Sequence, residues 1–339
     1  MNDSPELRQD VVSGDWVLIA PGRSKRPHTF ATKSKSRKAP CSTCPFEDPQ
    51  KSGNGDPLLW YSKNGIEPGN IRRDWVLQVI KNKYPVVTGH EGICPMPVPY
   101  GSYRKMVGIG FHEVIIPRSH TKFLSAMTAV EAERIISAYQ ERILFHTQEK
   151  CLKYVFVFHN YGEAAGASIR HPHSQIVALP IIPPDVYRSL HGAYKYKQKH
   201  DVCVHCRSIA WELEKNERVI YKNKSFVVVA PFASHVAFEV RIFPLKHDAR
   251  FERITKEERL LFADALTSTL RALKKILKDP AFNYFIHTAP VGDGEYDFYH
   301  WHLELLPKTS HLAGVELGTG VEVVTISPED AATHLRKAL

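Results

Sequence analysis

No run of roughly 18 uninterrupted apolar residues occurs in the 339-residue chain, so nothing predicts a membrane-spanning helix. The first residues, MNDSPELRQD, are polar and lack the basic start and apolar centre of a secretory leader, which predicts a cytoplasmic protein. No Lys/Arg block with interleaved aromatics is present. The formal charge of +9, from 45 basic against 36 acidic residues, is spread along the chain. That distribution argues against nucleic acid as a partner and suits a generally basic surface or small phosphorylated ligands. A Walker A loop is missing, which leaves a P-loop nucleotidase unsupported, and H-E-x-x-H is missing too. What is present is ordinary for a globular protein, 43% apolar and 24% charged, which excludes wholesale disorder. The length suits about two domains.

Six cysteines fall at 41, 44, 94, 151, 203 and 206, and histidine is abundant at 18. Four of the cysteines form two C-x-x-C pairs, which in a chain of this size and expected compartment point to metal. The pairs belong to an internal repeat. Each copy runs from C-x-x-C to an apolar strand ending in Pro-x-x-His, at His120 and His247. Eight residues later stands a Thr-x-x-Glu helix start, Thr128 to Glu131 and Thr255 to Glu258.

A helix-spaced apolar stretch follows each box: Val130, Ile135, Ile136, Tyr139, Ile143 and Leu144, then Leu260, Leu261, Leu266, Leu270, Leu273 and Leu277. Next come the strand-like YVFVFHN and NYFIHT, and then His-x-His, His171-Pro-His173 and His300-Trp-His302. From the Pro-x-x-His histidine to His-x-His is 51 residues in one copy and 53 in the other. The interval before it is longer in copy one, which places an insertion at about 48–110. The pattern predicts an α+β fold of two tandem modules, each an antiparallel sheet with one long helix, spanning 1–195 and 196–339. The Lys/Gln-rich stretch near 192–202 is the expected connection between them.

Zinc favours closed tetrahedral sets of sulfur and nitrogen. Cys41, Cys44, His120 and His171 make one Cys2His2 set, and Cys203, Cys206, His247 and His300 make the other. Neither leaves an open position, so two structural zinc sites are expected. With both outer residues of His-x-His on one strand face, one ring can serve a metal while the other meets a substrate. The run from Asn160 through Gly162, Gly166 and Ser168 to His171-Pro-His173-Ser174-Gln175 places small residues and neutral donors before the second histidine. Backbone N–H groups of such a loop can approach phosphate oxygens. A neutral imidazole held at one nitrogen is a good nucleophile toward phosphorus, which makes His173 the candidate.

This run resembles the active-site signature of the galactose-1-phosphate uridylyltransferase family, a branch of the histidine-triad superfamily built from a duplicated module. The likeness covers nearly the whole chain. It implies two histidine-triad-like modules, and ping-pong transfer of a nucleotidyl group from a nucleotide sugar to hexose (galactose) 1-phosphate through a nucleotidyl-histidine at His173. It implies Gln175 on the transferred phosphoryl oxygens, with Asn160 and Ser168 as phosphate contacts. It also implies Arg23 and Arg26 as an early basic motif, and Asn82 and Tyr84 as nucleoside contacts. In the tail, Gly314 and Glu316 match the family's substrate-binding stretch, where its usual lysine and tyrosine are missing. That departure, and Cys203 and Cys206 where some members bind iron with a carboxylate and three histidines, is similar to a close relative, ADP-glucose phosphorylase, which passes AMP to inorganic phosphate. The resemblance further implies a homodimer.

Overall fold

The computed structural model describes residues 4–25, 40–63, 65–66, 70, 74–89, 92 and 94–339. Its centre is one eleven-stranded, wholly antiparallel sheet. In chain order the strands are β1 (Leu59–Ser62), β2 (Gly65–Ile66), β3 (Trp75–Lys81), β4 (Phe111–Pro117), β5 (Tyr154–Tyr161), β6 (Ser174–Leu179), β7 (Val219–Lys222), β8 (Phe226–Val229), β9 (Val240–Pro244), β10 (Phe282–His287) and β11 (His302–Pro307). The spatial order is β7-β8-β9-β11-β10-β5-β6-β4-β3-β1-β2. Read outward from the β5–β10 pair, both halves repeat one order: β5, β6, β4, β3, β1 on one side and β10, β11, β9, β8, β7 on the other. The duplication seen in the sequence is thus a pseudo-twofold of the sheet, joined through Asn160 opposite Asn283 and Phe158 opposite Phe285.

Helices α1 (Ala129–His146) and α4 (Lys256–Leu277) pack against each other on one face of this sheet. Both begin with the expected capping box, with Thr128 accepting from the Glu131 N–H and Thr255 from the Glu258 N–H. Ile135, Ile136, Tyr139 and Ile143 of α1 share one buried core with Leu266, Leu270 and Leu273 of α4 and with the inner faces of β5, β10 and β11. Val130, Leu144 and Leu260, which the spacing assigned to those apolar stripes, are 59%, 44% and 40% exposed. They lie at the margins of stripes already filled by residues on both sides.

The stretch near 192–202, expected to connect the modules, is helical over most of its length. It is the end of helix α2 (Pro184–His200), which runs almost directly into α3 (Val204–Lys215). Asp201 turns the chain between them with a positive φ of 53°. Outside the large sheet, the N-terminal strands Glu6–Gln9 and Trp16–Ile19 join Glu322–Val324 near the other end of the chain. Cys94 and Cys151, unassigned from spacing, form a disulfide that ties the insertion to the loop between α1 and β5. No helix among the described residues is long and apolar enough to cross a membrane.

Candidate active site and metal centres

The His-Pro-His motif lies in the run-in to β6, just before its first residue, rather than within the strand. It is fixed by two backbone carbonyls, one from β4 and one of its own. His171 sets Nε2 2.7 Å from the Pro117 carbonyl, and His173 sets Nδ1 2.8 Å from the His171 carbonyl. A carbonyl can only accept, so each of these nitrogens carries the proton and donates it. In His171 the lone pair is thereby left on Nδ1, 3.7 Å from Cys44 Sγ. In His173 it is left on Nε2, the nitrogen that can attack. His173 is buried, and burial holds its pKa below the ordinary histidine value, with the His171 carbonyl opposing. The ring is therefore neutral near pH 7 and packs edge-on to Phe46, centroids 5.1 Å apart.

Behind the motif, on the helix side, Ser174 begins β6. Its Oγ meets the Tyr139 hydroxyl and lies 3.0 Å from His159 Nδ1, and Tyr139 meets Tyr284 at 2.7 Å. These four buried groups come from α1, β5, β6 and β10, so the strand start carrying His173 is gripped by both halves of the molecule. One register pair along β4, Glu113 takes two bonds from Arg142, at 2.8 and 2.6 Å, and one from His146 at 3.0 Å. Those bonds lock β4 to α1.

On the open face Gln175 follows His173 by two residues. Its Oε1 lies 2.8 Å from His112 Nε2 and 3.4 Å from Asn82 Nδ2. Asn82 is therefore committed to Gln175, and its own Oδ1 accepts from the Tyr84 N–H at 2.9 Å. Tyr84 is 80% exposed. Asn160, at the end of β5, has its Oδ1 2.8 Å from Asn283 Nδ2, which also donates to the Ala165 carbonyl.

The loop 162–168 turns on Gly162 and Gly166, both at φ +83°. A Cβ at Gly162 would meet Ala281 at 2.8 Å. The loop's N–H groups are not the open nest that the small residues predict. Ala165 and Ala167 donate to the Gly162 carbonyl, and Gly166 donates to Glu163. Asn160, exposed Ser168 and Arg170 instead line a cavity of about 320 Å³ beside His171 and Pro172. Arg23, exposed in a short turn, and Gly314 and Glu316 do not line it. Glu316 caps its own six-residue helix, Gly314–Thr319, by accepting from the Ala313 N–H. Arg26 lies outside the described residues.

The expected ligands gather as one set in copy two and only in part in copy one. Cys203, Cys206, His247 and His300 bring one ligand atom each within 4.8 Å of all the others. Cys203 stands at the N-cap of α3 and Cys206 in its first turn. Cys206 lies 3.2 Å from His247 Nδ1 and 3.5 Å from His300 Nδ1, while His300 Nε2 donates to the Pro244 carbonyl at 2.9 Å, as His171 does to Pro117. Hydrogen bonding from Cys206, then from His247 and His300, holds the Cys203 thiol far below its usual range against the effect of burial. Copy one is looser. Cys44, His120 and His171 form one group of three, and Cys41, Glu47 and His120 form another. Two thiols with two imidazoles, one of which in each copy (His171, His300) has its distal nitrogen tied to a carbonyl, is the donor chemistry of a metal clamp.

Sequence reading missed His112, Asn283, Glu47 and Phe46. The alternation His112, Val114, Ile116 did place His112 on one strand face with a purely apolar set, which was the available signal for it.

A buried neutral imidazole with one tethered nitrogen, flanked by fixed amides in a duplicated antiparallel sheet, defines a class of enzyme, the histidine-based nucleotidyltransferase. Comparison agrees. Residues 100–183 match the model of the galactose-1-phosphate uridyl transferase N-terminal domain. The chain is 35% identical to ADP-glucose phosphorylase of Arabidopsis thaliana, over 99% of this chain and 93% of that protein. It is 28% identical to galactose-1-phosphate uridylyltransferase of Thermotoga maritima, over 98% of each. Among solved structures, the Arabidopsis thaliana ADP-glucose phosphorylase with bound ADP-glucose superposes with a TM-score of 0.83 at 33% identity, covering 99% of this chain and 100% of that one. A uridylyltransferase superposes at 0.73, with 28% identity and 98% of each chain covered. The chain belongs to the galactose-1-phosphate uridylyltransferase family, and its fold is the family's pair of histidine-triad-like modules.

Proposed function

We propose that this protein transfers a nucleotidyl group from a nucleotide sugar to a phosphate-bearing acceptor, with His173 as the nucleophile. The observation that carries this is the donation of His173 Nδ1 to the His171 carbonyl, which presents a neutral Nε2 lone pair. Nε2 attacks the α-phosphorus. The N–P bond forms, the P–O bond to the departing phosphate breaks, and hexose 1-phosphate leaves with that electron pair. A phosphate oxygen of the acceptor then attacks the same phosphorus, and the N–P pair returns to the ring. Gln175, Asn160 and Ser168 supply neutral donors for the charge that develops on the phosphoryl oxygens. Arg23 and Arg26 are assigned to phosphate, and Asn82, Tyr84, Gly314 and Glu316 to the remaining substrate contacts. Asn82 acts there largely through Gln175.

Uridylyl transfer to galactose 1-phosphate is the activity named for most relatives. Adenylyl transfer from ADP-glucose to inorganic phosphate is the second reading. It is favoured by the 35% identity to the Arabidopsis enzyme and by the stretch 310–316, which has no lysine or tyrosine. Both metal sets suit zinc, which when bound would hold structure rather than react. In copy one it would fix the ring of His171, whose carbonyl orients His173. Exposed Tyr100, Tyr103 and Val107 of the insertion and Leu312, Val315 and Leu317 of the tail supply apolar surface for a homodimer.

Intact-protein mass spectrometry after separate incubation with UDP-glucose, UDP-galactose and ADP-glucose tests the reading. A gain of one UMP supports uridylyl transfer and one AMP supports adenylyl transfer. No adduct with any of them removes the covalent mechanism.

A further inference from the structure

The side-chain amides of Gln175 and Asn160 are oriented by a second set of residues, themselves fixed by backbone groups. Side-chain amides and imidazoles can be assigned either way round, but backbone N–H and C=O groups cannot. Val86 N–H donates to His112 Nδ1 at 3.2 Å, so this nitrogen bears the lone pair and the proton sits on Nε2. That proton points at Gln175 Oε1, 2.8 Å away. Tyr84 N–H donates to Asn82 Oδ1, which turns the Asn82 NH2 toward the same oxygen. The 3.1 Å gap between Asn82 Nδ2 and His112 Nε2 separates two donors that converge on one acceptor.

For Asn160 the backbone group that sets the orientation is the Ala165 carbonyl. It accepts from Asn283 Nδ2 at 2.8 Å, so the NH2 end of Asn283 also faces Asn160 Oδ1, 2.8 Å away. The Asn160 NH2 is thereby turned toward the small-residue loop, lying 3.8 Å from where a Cβ of Gly166 would be.

Gln175 and Asn160 thus have their oxygens occupied by protein donors and their N–H groups left for an anion. A freely rotating amide would present an oxygen to phosphate about as readily as a nitrogen, and the oxygen repels it. Preorganised donors avoid that reorientation during reaction. We propose that His112 and Asn283 are positioning residues that lock the amide N–H groups of Gln175 and Asn160 toward the phosphoryl group, one on each side of the nucleophile. The proposal rests on the phosphoryl-transfer reading above. Asn283 comes from β10 of the second copy, so the second module completes the anion shell of the first.

The test is a pair of double-mutant cycles on the full-length protein, read by the single-turnover rate of adduct formation and by UMP and AMP affinity from calorimetry. His112→Leu is expected to slow adduct formation about tenfold or more, within the range for a lost anion-stabilising donor. In a Gln175→Ala background the same change is expected to alter the rate by less than about twofold, because its effect runs through Gln175. His112→Gln offers an oxygen to Val86 N–H and an NH2 to Gln175, and is expected to restore most of the rate. Asn283→Leu is expected to behave likewise against Asn160→Ala. A merely structural role would instead give losses that multiply in the double variants and follow the melting temperature. Multiplying losses, or wild-type rates in both single variants, would overturn the proposal. If wild-type protein forms no adduct, the transfer reading fails. The nucleotide affinities then decide the positioning role alone, and the same non-additivity in affinity would sustain it.

Discussion

The two copies of the module share a backbone plan and differ in what faces the nucleophile position. In copy two, His302 occupies the place of His173, and its Nδ1 likewise donates to the carbonyl two residues back, at 3.0 Å. The place of Gln175 is taken by Glu304, and that of Asn160 by His287, which lies opposite His302 in the strand register. Glu304 is bonded to Arg241 at 2.9 Å and lies 3.3 Å from His287 and 3.6 Å from His302. Burial pushes its carboxyl up, but the Arg241 charge and then His287 hold it well below the usual range, so it stays ionised. A fixed carboxylate beside the ring repels the phosphate that neutral amides would bind. Copy two holds a buried ionic strut where copy one holds neutral amides. The backbone tether of the imidazole, present in both copies, is therefore not sufficient to distinguish them. What separates them is the carboxylate two positions on, together with His287 in the place of Asn160.

The sharpest break of this comparison is at the histidines. His173→Ala is expected to abolish the nucleotidyl adduct and to lower turnover by roughly 10⁴-fold or more, as for loss of other covalent catalytic groups. His302→Gln is expected to stay within about threefold of wild type, an ordinary result for a residue outside the reacting site. Turnover with acceptor, measured alongside adduct mass, checks both. Equal losses in the two variants would mean that the copies are not functionally distinct.

Exchanging the next residue is expected to do less. Gln175→Glu gives copy one the carboxylate of copy two and should slow adduct formation by about 10²-fold, through repulsion and a lost donor. The reverse change, Glu304→Gln, should leave the rate alone and cost about 2 kcal/mol of stability. That is less than a fully orphaned buried charge, because Arg241 keeps Asp10 at 3.1 Å and Glu239 at 3.3 Å. Denaturant unfolding reads the second effect.

The metal sets divide the copies in a third way. All four ligands of copy two already converge, whereas Cys41 of copy one is exposed and lies in a separate group with Glu47. Chelator is expected to remove metal from copy one first. Cys203→Ser should then lower the melting temperature more than Cys41→Ser does. Metal content by elemental analysis over a chelator time course checks the order, and simultaneous loss from both sets would contradict it.

Much of this was legible in the sequence, because repeats and capping boxes are local signals. Thr128, Glu131, Thr255 and Glu258 marked two helix starts, and the paired His-x-His and C-x-x-C landmarks pointed to the candidate nucleophile and to two clusters of metal-ligand type, complete in copy two and partial in copy one. What stayed hidden depends on strand register. His112 meets Gln175 only because β4 and β6 pair with Val177 opposite His112. Asn283 meets Asn160 only because the two modules join edge to edge. Spacing along one chain carries no information about either pairing. The composition of the connection near 192–202 did not reveal its conformation, because a polar stretch suits a surface helix as well as a loop, and only Val186, Leu190 and Ala193 of α2 are buried.

The smallest expected effect separates the copies by the sign of their pH dependence. Copy one's buried carboxylate, Glu113, is pushed up by burial but held below its ordinary pKa by His146 and then Arg142. A depressed carboxylate contributes stability above its unfolded pKa and loses it as pH falls through the folded value, so this strut fails only in acid. Copy two carries His235, with Nδ1 3.3 Å from Glu322 Oε2. Burial lowers its pKa, but the Glu322 hydrogen bond and the Glu239 charge outweigh that and bring it up to about 9. A raised histidine contributes fully below its unfolded value near 6.5, and the contribution is lost as pH rises from there through about 9. Glu322 begins the strand that pairs with Trp16–Ile19, so the loss falls on the attachment of the N-terminal strands. Melting temperatures from pH 6 to 10 are expected to decline more steeply for wild type than for His235→Gln, by a few degrees at most. Identical slopes would show that the His235–Glu322 contact does not couple protonation to folding, and Glu113 would then be the only strut in this comparison with a pH-dependent role.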